Sequence, residues 1–97
     1  MPDRKPLTPS RHVRTWITEH GAILFDLRGR GHWYALNRAG AYWWQQIVAG
    51  ATGGQAVRAV ASHFDADAER VGADMRALAA ELTRVRLLRP VRRWPRW

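Results

Sequence analysis

The side chains able to do chemistry are few, and their spacing narrows what they can do. Four histidines stand at 12, 20, 32 and 63, and no His-x-x-x-His pair sets two imidazoles on one helical face as a metal site needs. Asp65, Asp67 and Glu69 form an acidic cluster, but they sit where an apolar helical stripe begins. Negative charge there offsets the helix dipole and caps free amides, so the cluster reads as a helix start rather than an acid/base pair. Ser10 and Ser62 have no neighbouring base, and cysteine is absent, which removes thiolate catalysis, disulfides and zinc–thiolate sites. The run Arg28-Gly29-Arg30-Gly31 joins two strand-like segments rather than a strand to a helix, so it is a hairpin turn and not a phosphate cradle. No catalytic constellation, metal site or cofactor site emerges. The reading is a non-enzymatic binding protein.

Size and charge bound what it binds. A chain of 97 residues holds one domain with one modest core. Its apolar runs, such as Ala22-Ile23-Leu24-Phe25, are far shorter than the roughly 20 residues a membrane span requires. The start, Met1-Pro2-Asp3-Arg4-Lys5-Pro6, lacks the apolar stretch of a signal peptide, so the expected location is cytoplasmic, with no membrane partner. The net charge is +8, and residues 84–97 carry six arginines and no acid. The remainder holds ten basic residues against eight acidic ones. The basicity belongs to the C-terminal end and suggests an acidic partner.

The elements that would position a binding site follow from periodicity. Residues 1–10 contain three prolines and read as a flexible arm. Residues 11–18 alternate, with Val13, Thr15 and Ile17 on one side and His12, Arg14 and Trp16 on the other. Residues 22–27 form an apolar central strand, and His32 to Leu36 a third. Asn37 then caps a helix over 39–49, which Gly50 stops. Thr52-Gly53-Gly54-Gln55 has the form of a capping box opening a second helix. Val71, Met75, Leu78, Leu82 and Val85 stripe a third helix of about 18 residues, and Pro90 ends regular structure. The expected class is α+β: a three-stranded antiparallel sheet followed by three helices (β-β-β-α-α-α), similar to a winged helix-turn-helix with its wing strands first. The domain spans 11–88, and an Arg/Trp tail occupies 89–97.

In that order the third strand is an edge strand, because the chain leaves the sheet after it. An unshielded edge accepts an extended peptide by β-augmentation. Tyr34 and Leu36 share one face with His32, and Trp33 and Ala35 share the other. Leu36 should face the core, and Tyr34 the groove under the third helix. Trp44 is expected in the core. Asp74, an acid beside an apolar stripe, needs a partner that a bound peptide would supply.

The segments Gly21-Ala22-Ile23-Leu24-Phe25-Asp26-Leu27-Arg28 and Gly31-His32-Trp33-Tyr34-Ala35-Leu36-Asn37, then Gly40 and Trp44, resemble the PqqD family pattern Leu-Leu-Asp, Gly-x-Tyr-Tyr-x-Leu-Asn, Gly, Trp. Phe64-Asp65, Asp74-Met75, Leu78, Leu82 and Leu87-Leu88 resemble its later part. The resemblance covers about residues 11–88. It implies a RiPP recognition element, which binds the leader of a ribosomally made precursor peptide, most like the free-standing proteins of lasso peptide clusters. The implied partners are the leader and a transglutaminase-like leader peptidase or other maturation enzyme. The implied peptide-binding residues are His32, Trp33, Tyr34, Ala35, Leu36, Arg70, Val71, Asp74, Ala77 and Leu78. Three departures stand out: Trp33 where tyrosine is usual, keeping an aromatic groove wall; Trp43 for an aliphatic; and Arg86 for the glycine before Leu87-Leu88, which disturbs the expected helix ending. The alternative reading is a winged-helix nucleic-acid-binding protein. Acids and arginines balance along the third helix, which argues against that helix facing phosphates.

Overall fold

A computed structural model of the chain describes residues 7–28 and 31–90. In chain order the elements are β1 (Leu7–Pro9), β2 (Val13–Thr18), β3 (Gly21–Asp26), β4 (Trp33–Leu36), α1 (Arg38–Val48), α2 (Gly53–Phe64), α3 (Ala68–Arg84) and β5 (Leu88–Pro90). The expected three-strand, three-helix order is present, with sheet order β2-β3-β4, antiparallel throughout.

Local chemistry sets the helix boundaries. The Asn37 side chain accepts the Gly40 amide at 2.8 Å, starting α1 one residue earlier than the periodicity indicates. Thr52 and Gln55 form the reciprocal capping box at α2. Asp67 accepts the Arg70 amide at 3.1 Å and Glu69 lies in the first turn of α3, so these two acids serve the helix start, whereas Asp65 closes α2 in a left-handed conformation.

At the far end of α3, the Leu87 amide donates to the Leu82 carbonyl at 2.9 Å and the Arg86 amide to the Thr83 carbonyl at 3.1 Å. These two bonds make a Schellman motif, whose closing residue must be left-handed. Arg86 takes that conformation, with φ 67°. The helix therefore ends as it would with glycine, and an arginine bears the strain.

The core lies between one sheet face and the helices. Trp43, Trp44, Leu24, Ile47, Leu82, Leu88 and Val60 are its largest fully buried side chains. The Trp44 indole N–H donates to Thr15 Oγ1 at 2.8 Å, which satisfies its one polar atom inside the core. Gly21 cannot be replaced: a Cβ there would lie 1.9 Å from the Leu36 carbonyl oxygen.

Two sequence expectations are corrected. Residues 7–9 belong to no loose arm, because they pair with β5, Leu7 opposite Pro90 and Pro9 opposite Leu88. Leu7 packs against the core and Leu88 enters it, so apolar contact holds a ribbon that proline content alone disguised. Regular structure consequently runs through Pro90. Prolines at the margins of a two-stranded ribbon cost few ladder bonds. Residues 1–6 and 91–97, with most of the expected arm and tail, lie outside the described residues, as do Gly29 and Arg30 of the hairpin turn.

Candidate functional site

The register of the sheet determines which backbone groups β4 leaves open. Ala22 pairs with Leu36, Ile23 with Ala35, Leu24 with Tyr34 and Phe25 with Trp33. The Asp26 amide donates to the His32 carbonyl at 2.7 Å, extending the same register. In an antiparallel ladder, directly bonded pairs alternate with unbonded ones. His32, Tyr34 and Leu36 thus spend their backbone groups on β3. Trp33 and Ala35 turn theirs outward, to the side of β4 that has no strand partner among the described residues.

Side chains alternate in the other sense. Tyr34 and Leu36 face the helices, opposite fully buried Leu24 and nearly buried Ala22. Trp33 faces away from them, on the outer sheet surface beside its register partner Phe25, and is 65% exposed. The expected aromatic groove wall at Trp33 is therefore corrected: its backbone is at the edge, and its ring lies on the opposite face from α3.

The helix α3 approaches the end of β4 around Gly40 of α1. Leu78 Cδ2 and Leu36 Cβ both approach Gly40, within 3.3 Å and 3.5 Å of where its Cβ would be. Further along α3, Arg84 Nε donates to Glu81 Oε1 at 3.0 Å. Hydrogen bonds and charge attraction between Arg84 and Glu81 hold the guanidinium above and the carboxyl below their ordinary values. The flank of α3 that carries half-buried Leu78 also carries the Glu81–Arg84 pair.

At 3.6 residues per turn, Asp74 and Ala77 share that flank and both are exposed. Asp74 has no ion-pair partner among the described residues. Val71 is different: at 8% exposure it belongs to the core, on the stripe that seats α3, so it supports the wall without facing a ligand. Leu36, at 6%, is likewise core. Arg70 is exposed but lies eight residues before Leu78, roughly 12 Å along the helix, past the end of β4. Tyr34 lies on the helix-facing side of β4, Ala35 opens its backbone at the edge and His32 continues the register opposite Asp26, while Leu78, Asp74 and Ala77 share one flank of α3. Glu81 and Arg84 were missed, although their spacing of seven and ten from Asp74 places them on the same flank.

Two concave clefts lie elsewhere. One of about 550 Å³ sits between α2 and α3, lined by Trp43, Val57, Met75 and Leu7. The other, of about 580 Å³, lies among Arg11, His12, Arg28, Arg86 and Arg89. Among the described residues no group of three metal-ligating side chains converges, and no helix is long and apolar enough to cross a membrane.

The geometry is shared with solved structures. One, of TbiB1 in complex with the TbiA(beta) leader peptide, has a TM-score of 0.77 and 21% identity over 89% of this chain and 99% of that one. Another, a lasso peptide synthetase B1 complexed with the leader peptide, has a TM-score of 0.75 and 20% identity over 88% and 99%. No match was found among curated proteins. A family model described as coenzyme PQQ synthesis protein D (PqqD) matches residues 21–88. With β3, β4 and all three helices inside that matched segment, the chain belongs to the PqqD family.

Proposed function

We propose that this protein is a RiPP recognition element: it binds the leader of a ribosomally made precursor peptide as an added strand on β4 and hands it to a separate maturation enzyme. The observation that carries the reading is the open backbone of Trp33 and Ala35 beside a helix wall, in the fold that two leader-peptide complexes share. Main-chain bonds supply affinity in this mode, and wall residues such as Leu78 and Asp74 supply selectivity. The backbones of Trp33 and Ala35 and the side chains of His32, Tyr34, Asp74, Ala77 and Leu78 are the proposed contacts, with Leu36 seating the strand from the core. The protein carries out no chemistry itself in this reading. Its role is to raise the local concentration of the precursor at a leader peptidase.

The test is reconstitution. The precursor encoded beside this chain's gene, with a peptidase from the same neighbourhood, should be cleaved faster when this protein is added. The protein alone should leave the precursor intact. Leader cleavage by this protein with no peptidase present overturns the non-catalytic reading, and an unchanged rate overturns delivery.

A further inference from the structure

The cleft at the end of α3 gathers more positive charge than the groove reading uses. Arg11, Arg28, Arg86 and Arg89 line it, with His12 as a further donor. Among the described residues the one carboxylate at its margin is Asp26, and Arg28 takes it, Nε to Oδ1 at 2.9 Å and a terminal nitrogen to Oδ2 at 3.1 Å. A terminal nitrogen of Arg28 also donates to the Arg86 carbonyl at 2.8 Å, fastening the β3–β4 hairpin to the end of α3. Arg11, Arg86 and Arg89 are left without an ion-pair partner among the described residues. Three uncompensated guanidiniums in one concavity repel each other, and an anion seated there relieves the repulsion. Arg86 holds its place in a left-handed conformation that glycine would adopt freely.

Position favours one occupant. His32, where the β4 groove ends, is the register partner of Asp26, and the His12 carbonyl accepts from Leu27 on the other side of β3. Two strand spacings, roughly 10 Å, separate the groove end from the cleft. A peptide leaving the groove covers that in about three residues. A nucleic-acid backbone fits poorly, because it needs a continuous basic track, whereas the exposed side of α3 alternates Glu69, Asp74 and Glu81 with its arginines.

We infer that this cleft binds acidic side chains of the precursor peptide, carried just outside the segment that pairs with β4. The inference rests on the leader-binding reading, and its test is separable from it. Acetyl-hexaglutamate-amide, titrated into the isotope-labelled full chain, should shift the amides of residues 10–12, 26–28 and 86–89. Acetyl-hexaglutamine-amide should not. Raising salt from 50 to 500 mM should weaken binding at least fivefold. Arg11→Glu with Arg89→Glu should weaken it at least tenfold. Arg86→Gly should weaken it about threefold while raising the melting temperature, a pairing that separates lost charge from lost fold. Shifts absent from the cleft overturn the inference, as does a single-stranded hexathymidylate that binds there more tightly than hexaglutamate. Leader binding that survives Ala35→Pro overturns the groove reading and leaves the hexaglutamate result standing.

Discussion

The sheet has two edges, and they differ in what lies beside them. On β2, the ladder alternation turns the backbone groups of Val13, Thr15 and Ile17 outward. The Val13 amide is taken by the Ser10 carbonyl at 3.2 Å, the Thr15 hydroxyl accepts from Trp44, and Ile17 is 51% exposed. On β4, Trp33 and Ala35 are open in the same way, and Leu78 of α3 meets Leu36 at Gly40 beside the end of the strand, on a helix flank shared with Asp74, Glu81 and Arg84. Unpaired backbone is common to both edges. In the proposed reading α3 gives β4 a wall of side chains, and a wall is what distinguishes a selective peptide site from an edge that needs shielding.

Proline substitutions should break the comparison most sharply. Ala35→Pro removes an outward amide that β3 does not use, so the fold should persist while leader affinity falls roughly a hundredfold, from a lost hydrogen bond and a clashing ring. Ile17→Pro makes the same change on β2 and should leave leader affinity within about twofold. Calorimetric titration of both variants checks the pair, and equal losses would erase the distinction between the edges.

Wall residues should give smaller effects. Leu78→Ala removes apolar contact from the groove and from Leu36, and should weaken leader binding about tenfold while costing about 1–2 kcal/mol of stability by thermal unfolding. Asp74→Ala should weaken it by about 1 kcal/mol, the scale of one charge-assisted hydrogen bond at an exposed position, with little change in stability. Competition of a labelled leader resolves differences of that size.

The smallest effect concerns the hairpin that carries β4. Hydrogen bonds from the Arg28 side chain and amide hold the Asp26 carboxyl below its ordinary value. A depressed folded value means that this pair's stabilisation is fully present above the unfolded carboxylate value of about 3.9 and is lost progressively as pH falls below it and through the lower folded value. Asp26→Asn should flatten that acid limb of the stability profile, measured by denaturant unfolding from pH 5 to pH 2. A limb of unchanged steepness would contradict the assignment.

Much of this was legible in the residues. Alternation at 11–18, the apolar run at 22–27, the caps Asn37, Thr52 and Asp67, and the stripe from Val71 to Val85 identified the sheet and all three helices, because each is a local pattern. The β1–β5 ribbon was not legible, since Leu7 and Leu88 are far apart in sequence and prolines obscure both strands. Within the site, Tyr34 and Leu78 followed from strand and helix period. The same period set Trp33 on the face opposite Tyr34, and the family likeness alone made its ring a groove wall, a place that face does not allow. Val71 stood one step from Arg70 on a helix whose rotation relative to β4 only packing fixes. The cleft arginines come from three separate segments, around 11, 28 and 86–89, and no spacing rule joins these.

The central claim is strand addition at β4, and amide hydrogen exchange tests it most directly. With the neighbouring precursor's leader bound at saturation, the Trp33 and Ala35 amides should slow by at least tenfold, since they gain partners. The Tyr34 and Leu36 amides, already bonded to β3, should change far less, and the β2 amides of Thr15 and Ile17 should not change. Saturated leader binding with exchange at Trp33 and Ala35 unaltered would contradict the account.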